Sequence, residues 1–475
     1  MPTSSDPNAT RPPTVAIAGG GLAGLASACA LAESGFRVTL FERRPYLGGR
    51  ASSYQHPGTG EVVDNCQHVL FGCCTNLIDF YQRIGVEKNI RWYETMTFVE
   101  PGGRSSVLER SFLPAPLHTT PSFLSFPFLD ASDKLAISRA MAALIPAPAR
   151  DNGESFLDWL HRHKQTGNAI ERFWKPVLVS ALSEDLELVS VAYAGQVVRE
   201  SMKSKRAREM GIPTIPLTEL YSSAADYISA RGGAIRFRSG VESFRAQPSE
   251  VRVTANGVEE EFDYLVLAVC FDGLGRILPK TETAAPLLAM LGQFRTSPIT
   301  GIHLWFDREI SELDHAVLLD RTIQWMFHKS RLIQARQAGL GENGNASYVE
   351  LVVSSSKSLV EKGKTEIVDL AVAELREFFP AAREAKLVKS TVVKELNATY
   401  SPRPGIDRYR PNSGTAWPRV LLAGDWTATG WPATMEGAVR SGYLAAEAVS
   451  RVARVGSARF LVADLAPSGL MRLFG

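Results

Sequence analysis

Cysteine is scarce in this chain: five residues in 475, at Cys29, Cys66, Cys73, Cys74 and Cys270. They show neither metal-ligand spacing nor the even count of a disulfide framework, so no metal centre is expected and a reducing, cytoplasmic setting is. Charge of one sign is missing too. The net charge is +2, and no basic stripe interleaves with aromatics, which removes the general case for nucleic acid. No internal repeat or low-complexity tract is visible. Long hydrophobic runs are also lacking: the longest apolar-looking stretch, Val15–Ala32, is interrupted by glycines and Ser27, so no transmembrane helix is expected. The Pro-rich, polar start, Met1–Pro13, has no apolar core; it reads as neither signal peptide nor anchor and is expected to be disordered. What is present is 45% hydrophobic residues over a length that suits two or three domains.

The strongest pattern is Thr14–Gly24, TVAIAGGGLAG. A short apolar strand runs into Gly19, Gly21 and Gly24, spaced G-x-G-x-x-G, and Leu22–Glu33 continues as an alanine-rich helix. Such glycines make a tight turn, let the backbone approach a pyrophosphate, and allow close helix–strand packing. The helix N-terminus offers free N–H groups to the phosphates. A second strand, Arg37–Phe41, ends at Glu42, roughly 20 residues on, where a βαβ unit of this type places the acid for ribose hydroxyls. An acid at that position disfavours the 2′-phosphate of NADP.

The motif alone leaves NAD and FAD open. Two further segments point to FAD. Leu47-Gly48-Gly49-Arg50 sets a second glycine turn with an arginine beside the phosphate site. Far along the chain, the strand Val420–Ala423 ends in Gly424-Asp425, and Thr434–Gly442 opens a helix after it. Asp425 is expected to face ribityl hydroxyls, and the helix N-terminus the electron-poor carbonyl edge of the flavin.

Together these segments resemble the FAD-binding elements of the flavin amine oxidase and carotenoid desaturase superfamily. The resemblance implies a discontinuous Rossmann-type α/β FAD domain with a mixed-sheet and helical (α+β) substrate domain. It also implies a cofactor-binding set of Gly19, Gly21, Leu22, Ala23, Gly24, Glu42, Arg43, Gly48, Gly49, Arg50, Gly424, Asp425, Thr434, Met435 and Ala438. Val241 joins that set as the backbone contact to adenine. No cysteine lies between Gly424 and Gly442, so FAD is expected to be noncovalent.

The segments Asp64–Cys73 (DNCQHVLFGC), Phe173–Pro176 (FWKP) and Gly430–Gly437 (GWPATMEG) resemble the hopanoid-associated branch, the squalene-associated FAD-dependent desaturases understood as hydroxysqualene dehydroxylases. That branch implies reductive removal of the hydroxyl of hydroxysqualene to give squalene, with an acid near an allylic hydroxyl and hydride from reduced flavin. His68 is the first candidate acid, Asp64 its partner, and Glu436 the next candidate. Each also has a plain structural reading: a backbone-bonded core histidine or cofactor contact, a turn carboxylate, and a helix-dipole residue. A carotenoid-type desaturase is the alternative. Amine oxidation is less favoured, because Ser297–Phe306 carries no lysine. A non-enzymatic FAD-bearing membrane-surface protein is a further possibility. The residues do not fix which way hydride moves.

The expected division assigns 14–90, 233–296 and 396–455 to the FAD domain, 91–232 and 297–395 to the substrate domain, and 456–475 to a C-terminal tail. Phe112–Leu129, FLPAPLHTTPSFLSFPFL, is either a packed cap or a greasy tunnel mouth dipping into a bilayer. An isoprenoid substrate so poorly soluble makes a peripheral place on the inner face of the cell membrane the expected one. The reductant of the flavin is unidentified.

Overall fold

The computed structural model describes residues 11–333, 346–457 and 459–474; the first ten residues of the expected disordered start lie outside them. Apolar runs without polar alternation make strands buried on both faces, and five of them form a parallel sheet. Its order is Ala234–Arg236, Arg37–Phe41, Thr14–Ala18, Tyr264–Leu267 and Val420–Leu422. The sheet gathers strands from three distant stretches of chain. Helices Leu22–Glu33 and Met435–Ala453 pack against each other beside it and share one core. A three-stranded antiparallel sheet, Val241–Ala246, Val251–Ala255 and Val258–Phe262, is appended.

The second half is a seven-stranded mixed sheet ordered Leu387–Tyr400, Thr296–Phe306, Ser347–Ser354, Trp325–Phe327, His315–Leu318, Met96–Val99 and Ser105–Leu108. Its one parallel pairing joins His315–Leu318 to Met96–Val99. Helix Lys364–Phe378 buries Ile367, Ala371, Leu375 and Phe378 in a core shared with this sheet. Helices Ala131–Leu144, Phe156–Arg162, Lys175–Leu182 and Val191–Met202 form a helical layer. The α/β class with a mixed-sheet and helical second half is thus observed.

One boundary falls elsewhere than the sequence division has it. Helix Leu217–Ser229 lies within the 91–232 stretch, yet Leu217, Leu220, Tyr221, Ala224 and Ile228 are buried in the core of the parallel sheet. Their helical spacing makes one apolar stripe, and the nearest surface to receive it is helix Leu22–Glu33. The tail is anchored. Phe460 and Leu461 donate their N–H groups to Glu447, Val462 donates to Asn76, and Leu470 to the Ala115 carbonyl.

Candidate active site

The carboxyl ends of the parallel strands open onto one continuous cavity of about 1340 Å³, the position where sheets of this kind bind ligands. That exceeds the 300–1,000 Å³ of an ordinary single-ligand pocket.

One end is a cradle. No side chain caps the N-terminus of helix Leu22–Glu33, so its first N–H groups stay free for an anion. Gly24 is confined by packing: a Cβ there would sit 1.9 Å from the Gly19 carbonyl oxygen. Gly49, at φ +62°, faces Gly21, and a Cβ on it would lie 2.9 Å from the Gly21 Cα. Glu42 is buried, its carboxylate fixed by the N–H groups of Gly20 and Arg44, each at 2.7 Å. Arg50 Nη2 donates to Asp425 Oδ1 at 2.5 Å, and Nη1 to the Ala398 carbonyl at 3.0 Å. Gly19, Gly21, Leu22, Ala23, Glu42, Arg43, Gly48, Gly49, Arg50, Val241, Gly424, Asp425, Thr434, Met435 and Ala438 all line the cavity; Gly24 stands behind it. The uncapped helix and anchored Glu42 fit the phosphates and ribose of a dinucleotide.

The other end is greasy. Its walls include Phe98, Phe123, Ile137, Met141, Phe173, Trp174, Val177, Trp325 and Phe327. Phe173 and Trp174 sit on a π-turn, Ile170–Trp174, leading into helix Lys175–Leu182. Such turns concentrate at functional sites because they re-aim side chains off the regular helix. Trp426 and Trp431 line the cavity as well. Both are buried, and the indole N–H of Trp426 reaches the Val269 carbonyl at 3.0 Å.

The three candidate acids separate. His68 lines the cavity. Its Nδ1 is 2.7 Å from the Cys66 carbonyl, an acceptor only, so the proton resides on Nδ1 and Nε2 is left unpaired. Burial pulls its pKa below the ordinary value, against the opposing pull of that carbonyl.

Asp64 does not line the cavity. It is buried, its carboxylate accepting from Lys329 Nζ at 2.7 Å, the Ser53 hydroxyl at 2.6 Å and the Leu217 N–H at 3.1 Å. Burial works to raise its pKa, but the ammonium and these hydrogen bonds outweigh it and hold it below the usual carboxylate range. It is an ion-pair partner, not a proton donor. Lys329 also donates to Gln67 Oε1 at 2.8 Å and lies 3.4 Å from Glu350. One cation therefore serves two carboxylates. Asp64 is nearer, and burial pushes Glu350 up to about 7.

Glu436 lines the cavity but is spent on packing. It accepts from the N–H groups of Asn76 (3.3 Å) and Leu77 (2.8 Å) and from the Asn76 side chain (3.0 Å). It thus caps helix Thr75–Arg83, whose own N-cap, Cys74, makes no side-chain bond. Sequence reasoning missed Lys329, Glu350 and Arg208, the last a cavity-lining cation.

Phe112–Leu129 divides in two. Phe112 is 89% exposed and Leu124 54%, while Phe126, Phe128 and Leu129 are buried; Leu117 and Phe123 line the cavity. Among the described residues, no helix is long and apolar enough to cross a membrane, and no group of three or more His, Cys, Asp or Glu forms a metal site.

The sequence profile of the flavin containing amine oxidoreductase family matches residues 22–450. The 15-cis-phytoene desaturase of Synechococcus elongatus is 27% identical over 461 residues, covering 92% of this chain and 95% of that protein. The zeta-carotene desaturase of Synechocystis sp. is 26% identical over 474 residues, covering 92% and 96%. Among solved structures, an oxidoreductase from Methanosarcina mazei superposes with a TM-score of 0.69 at 18% identity, covering 90% of this chain and 98% of that one. Putrescine oxidase also gives 0.69 at 18%, covering 93% and 99%. At such identities the structures speak to fold alone. The sequence relatives agree better with the desaturase alternative than with the dehydroxylase expectation.

Proposed function

This chain belongs to the flavin containing amine oxidoreductase family, and we propose that within it the protein is an FAD-dependent oxidoreductase acting on a long-chain isoprenoid. One observation carries this reading: the dinucleotide cradle and a set of aromatic and aliphatic walls line the same cavity. FAD held noncovalently by the uncapped helix, Glu42 and the Arg50–Asp425 pair would supply a hydride acceptor or donor at the junction. The aromatic and aliphatic walls bind an unfunctionalised chain by burial and keep water from the reacting carbon. His68, neutral and with Nε2 unpaired, is the group placed to accept or return a proton.

Two directions are compatible with this machinery. Carotenoid-type desaturation removes a hydride and a proton from adjacent carbons and needs an electron acceptor such as a quinone. It is favoured by what the matched relatives are called. Reductive dehydroxylation of hydroxysqualene replaces C–OH by C–H, releases water and needs a reductant for the flavin. A specific observation favours it: the cavity wall carries an unpaired guanidinium, Arg208, which a pure hydrocarbon leaves unsatisfied. Product mass separates the two. Holoenzyme given phytoene and a quinone yields a product two hydrogens lighter if it is a desaturase; pre-reduced holoenzyme given hydroxysqualene yields squalene if it is a dehydroxylase. Formation of neither product would contradict the proposal.

A further inference from the structure

Three cations on the cavity wall, Arg43, Arg208 and Arg276, have no side-chain hydrogen bond or ion pair among the described residues; Arg43 and Arg276 are exposed, Arg208 only partly. Arg208 closes the short turn Arg206–Arg208 after helix Val191–Met202. That turn is pinned by the Gly72 N–H donating to the Glu209 carbonyl at 2.9 Å and the Glu209 N–H to the Arg206 carbonyl at 3.0 Å. The Arg208 side chain lines the cavity and is only partly exposed. It makes no hydrogen bond or ion pair with any described residue.

Its surroundings explain why. Glu94, Arg110, His118, Thr119, Lys205 and Glu209 line a side void of about 10 Å³ that shares Thr119 and Arg208 with the main cavity. Both carboxylates there are committed to Arg110, Glu209 at 2.8 Å and Glu94 closer still. Lys205 Nζ donates to the Phe112 carbonyl at 3.2 Å. His118 is fully buried with neither ring nitrogen partnered, and burial together with the neighbouring cations drives it down to about 4. It is neutral and offsets no charge. Desolvation alone lowers Arg208 to about 10, which leaves it a cation at any working pH.

A partly buried cation without a counter-group is costly, and the cost falls when a ligand oxygen accepts from it. Guanidinium offers five donors in a planar fork and no acceptor, so it selects oxygen acceptors and gains nothing from a hydrocarbon. We infer that Arg208 is the polar anchor of the chamber, donating to an oxygen carried by the isoprenoid, so that the cavity prefers an isoprenoid alcohol to the matching hydrocarbon. This rests on the reading of the chamber as an isoprenoid site. It selects, within that reading, an oxygenated substrate.

The test is binding, not turnover. Oxidised holoenzyme is titrated with hydroxysqualene and with squalene, chains of the same length, and saturation is read from the flavin absorbance change. The alcohol is expected to bind about tenfold or more tighter than the hydrocarbon, the scale of one hydrogen bond to a charged donor. Arg208→Met is expected to bring the ratio to near one, and Arg208→Lys to keep part of it, with squalene affinity as the internal reference for folding. Equal binding of the two chains by the unmodified protein, or a ratio that survives Arg208→Met, overturns the role of Arg208 alone. Failure to bind either chain overturns the isoprenoid reading and this inference with it.

Discussion

Arg50 Nη2 and Asp425 Oδ1 meet at 2.5 Å across 375 residues of sequence, both on the wall of the central cavity. The pair ties the glycine turn after Glu42 to the Gly-Asp turn near the other end of the chain. Two halves of the proposed cofactor site are thus locked by a charge-assisted bond.

Breaking that pair is expected to release the cofactor before it unfolds the protein. Asp425→Asn and Arg50→Gln each leave a poorly solvated partner beside the site, and FAD affinity should fall about tenfold or more. The flavin-to-protein ratio after gel filtration reads this directly. Retention at the unmodified ratio would show that the pair is not part of the grip.

The three acids should behave differently. Asp64→Asn takes the nearer carboxylate from buried Lys329 and leaves it Glu350 and Gln67, at a cost of about 1–3 kcal/mol and a drop of a few degrees in Tm. Glu436→Gln weakens the cap on helix Thr75–Arg83 by about 1 kcal/mol. Neither should lower turnover per folded flavoprotein by more than a few-fold. His68→Gln should lower it far more while leaving Tm near its original value. With the His68 pKa below its ordinary value, a step that takes a proton from this ring speeds up as pH falls below the usual histidine range, and a step that gives one to it slows. The pH–rate profile of His68→Gln should be flat there.

Glu350 makes stability depend on pH in a direction unusual for a carboxylate. Its folded pKa, about 7, lies above the unfolded 4.5, so the folded state holds a proton that the unfolded chain has lost. The stabilisation is fully present below about pH 4.5 and is lost as pH rises through about 7. It is on the order of 3 kcal/mol. Asp64, Lys329 and His303 share the same interior; the first two stay charged and His303, at about 3, stays neutral across that window. Glu350→Gln should therefore remove most of the fall in Tm between pH 5 and 8 and exceed the unmodified protein above pH 7. A parallel fall in both would contradict the assignment.

Phe112 and Leu124 project from the segment whose neighbours Leu117 and Phe123 line the cavity. This face is expected to meet the bilayer from which an isoprenoid would be drawn. Replacing both with serine should reduce co-sedimentation with anionic liposomes several-fold and raise KM for membrane-delivered substrate, with kcat held. Unchanged partitioning would remove the bilayer from the account.

What could be read from sequence was local. The glycine spacing, the helix Leu22–Glu33 and Glu42 belong to one βαβ unit and the Gly424-Asp425 turn to a second, and each of these signals is read from neighbouring residues alone. Asp64 and Glu436 misled as acids because their partners are remote. Lys329 is 265 residues from Asp64, and Asn76 is 360 from Glu436. No spacing rule reports a cation or a helix end at that distance. Arg208 hides for a different reason: in Lys203-Ser204-Lys205-Arg206-Ala207-Arg208 it looks like a solvated basic run, and only the fold brings one of its cations to the cavity wall.

The central claim is that an isoprenoid carbon and the flavin exchange hydride inside this cavity. Anaerobic rapid mixing tests it most directly, with the flavin absorbance as the readout. Oxidised holoenzyme is mixed with phytoene or with putrescine, and pre-reduced holoenzyme with hydroxysqualene. A change of flavin oxidation state is expected with one of the isoprenoids and none with the amine. Rapid flavin reduction by putrescine, with both isoprenoids inert, would contradict it.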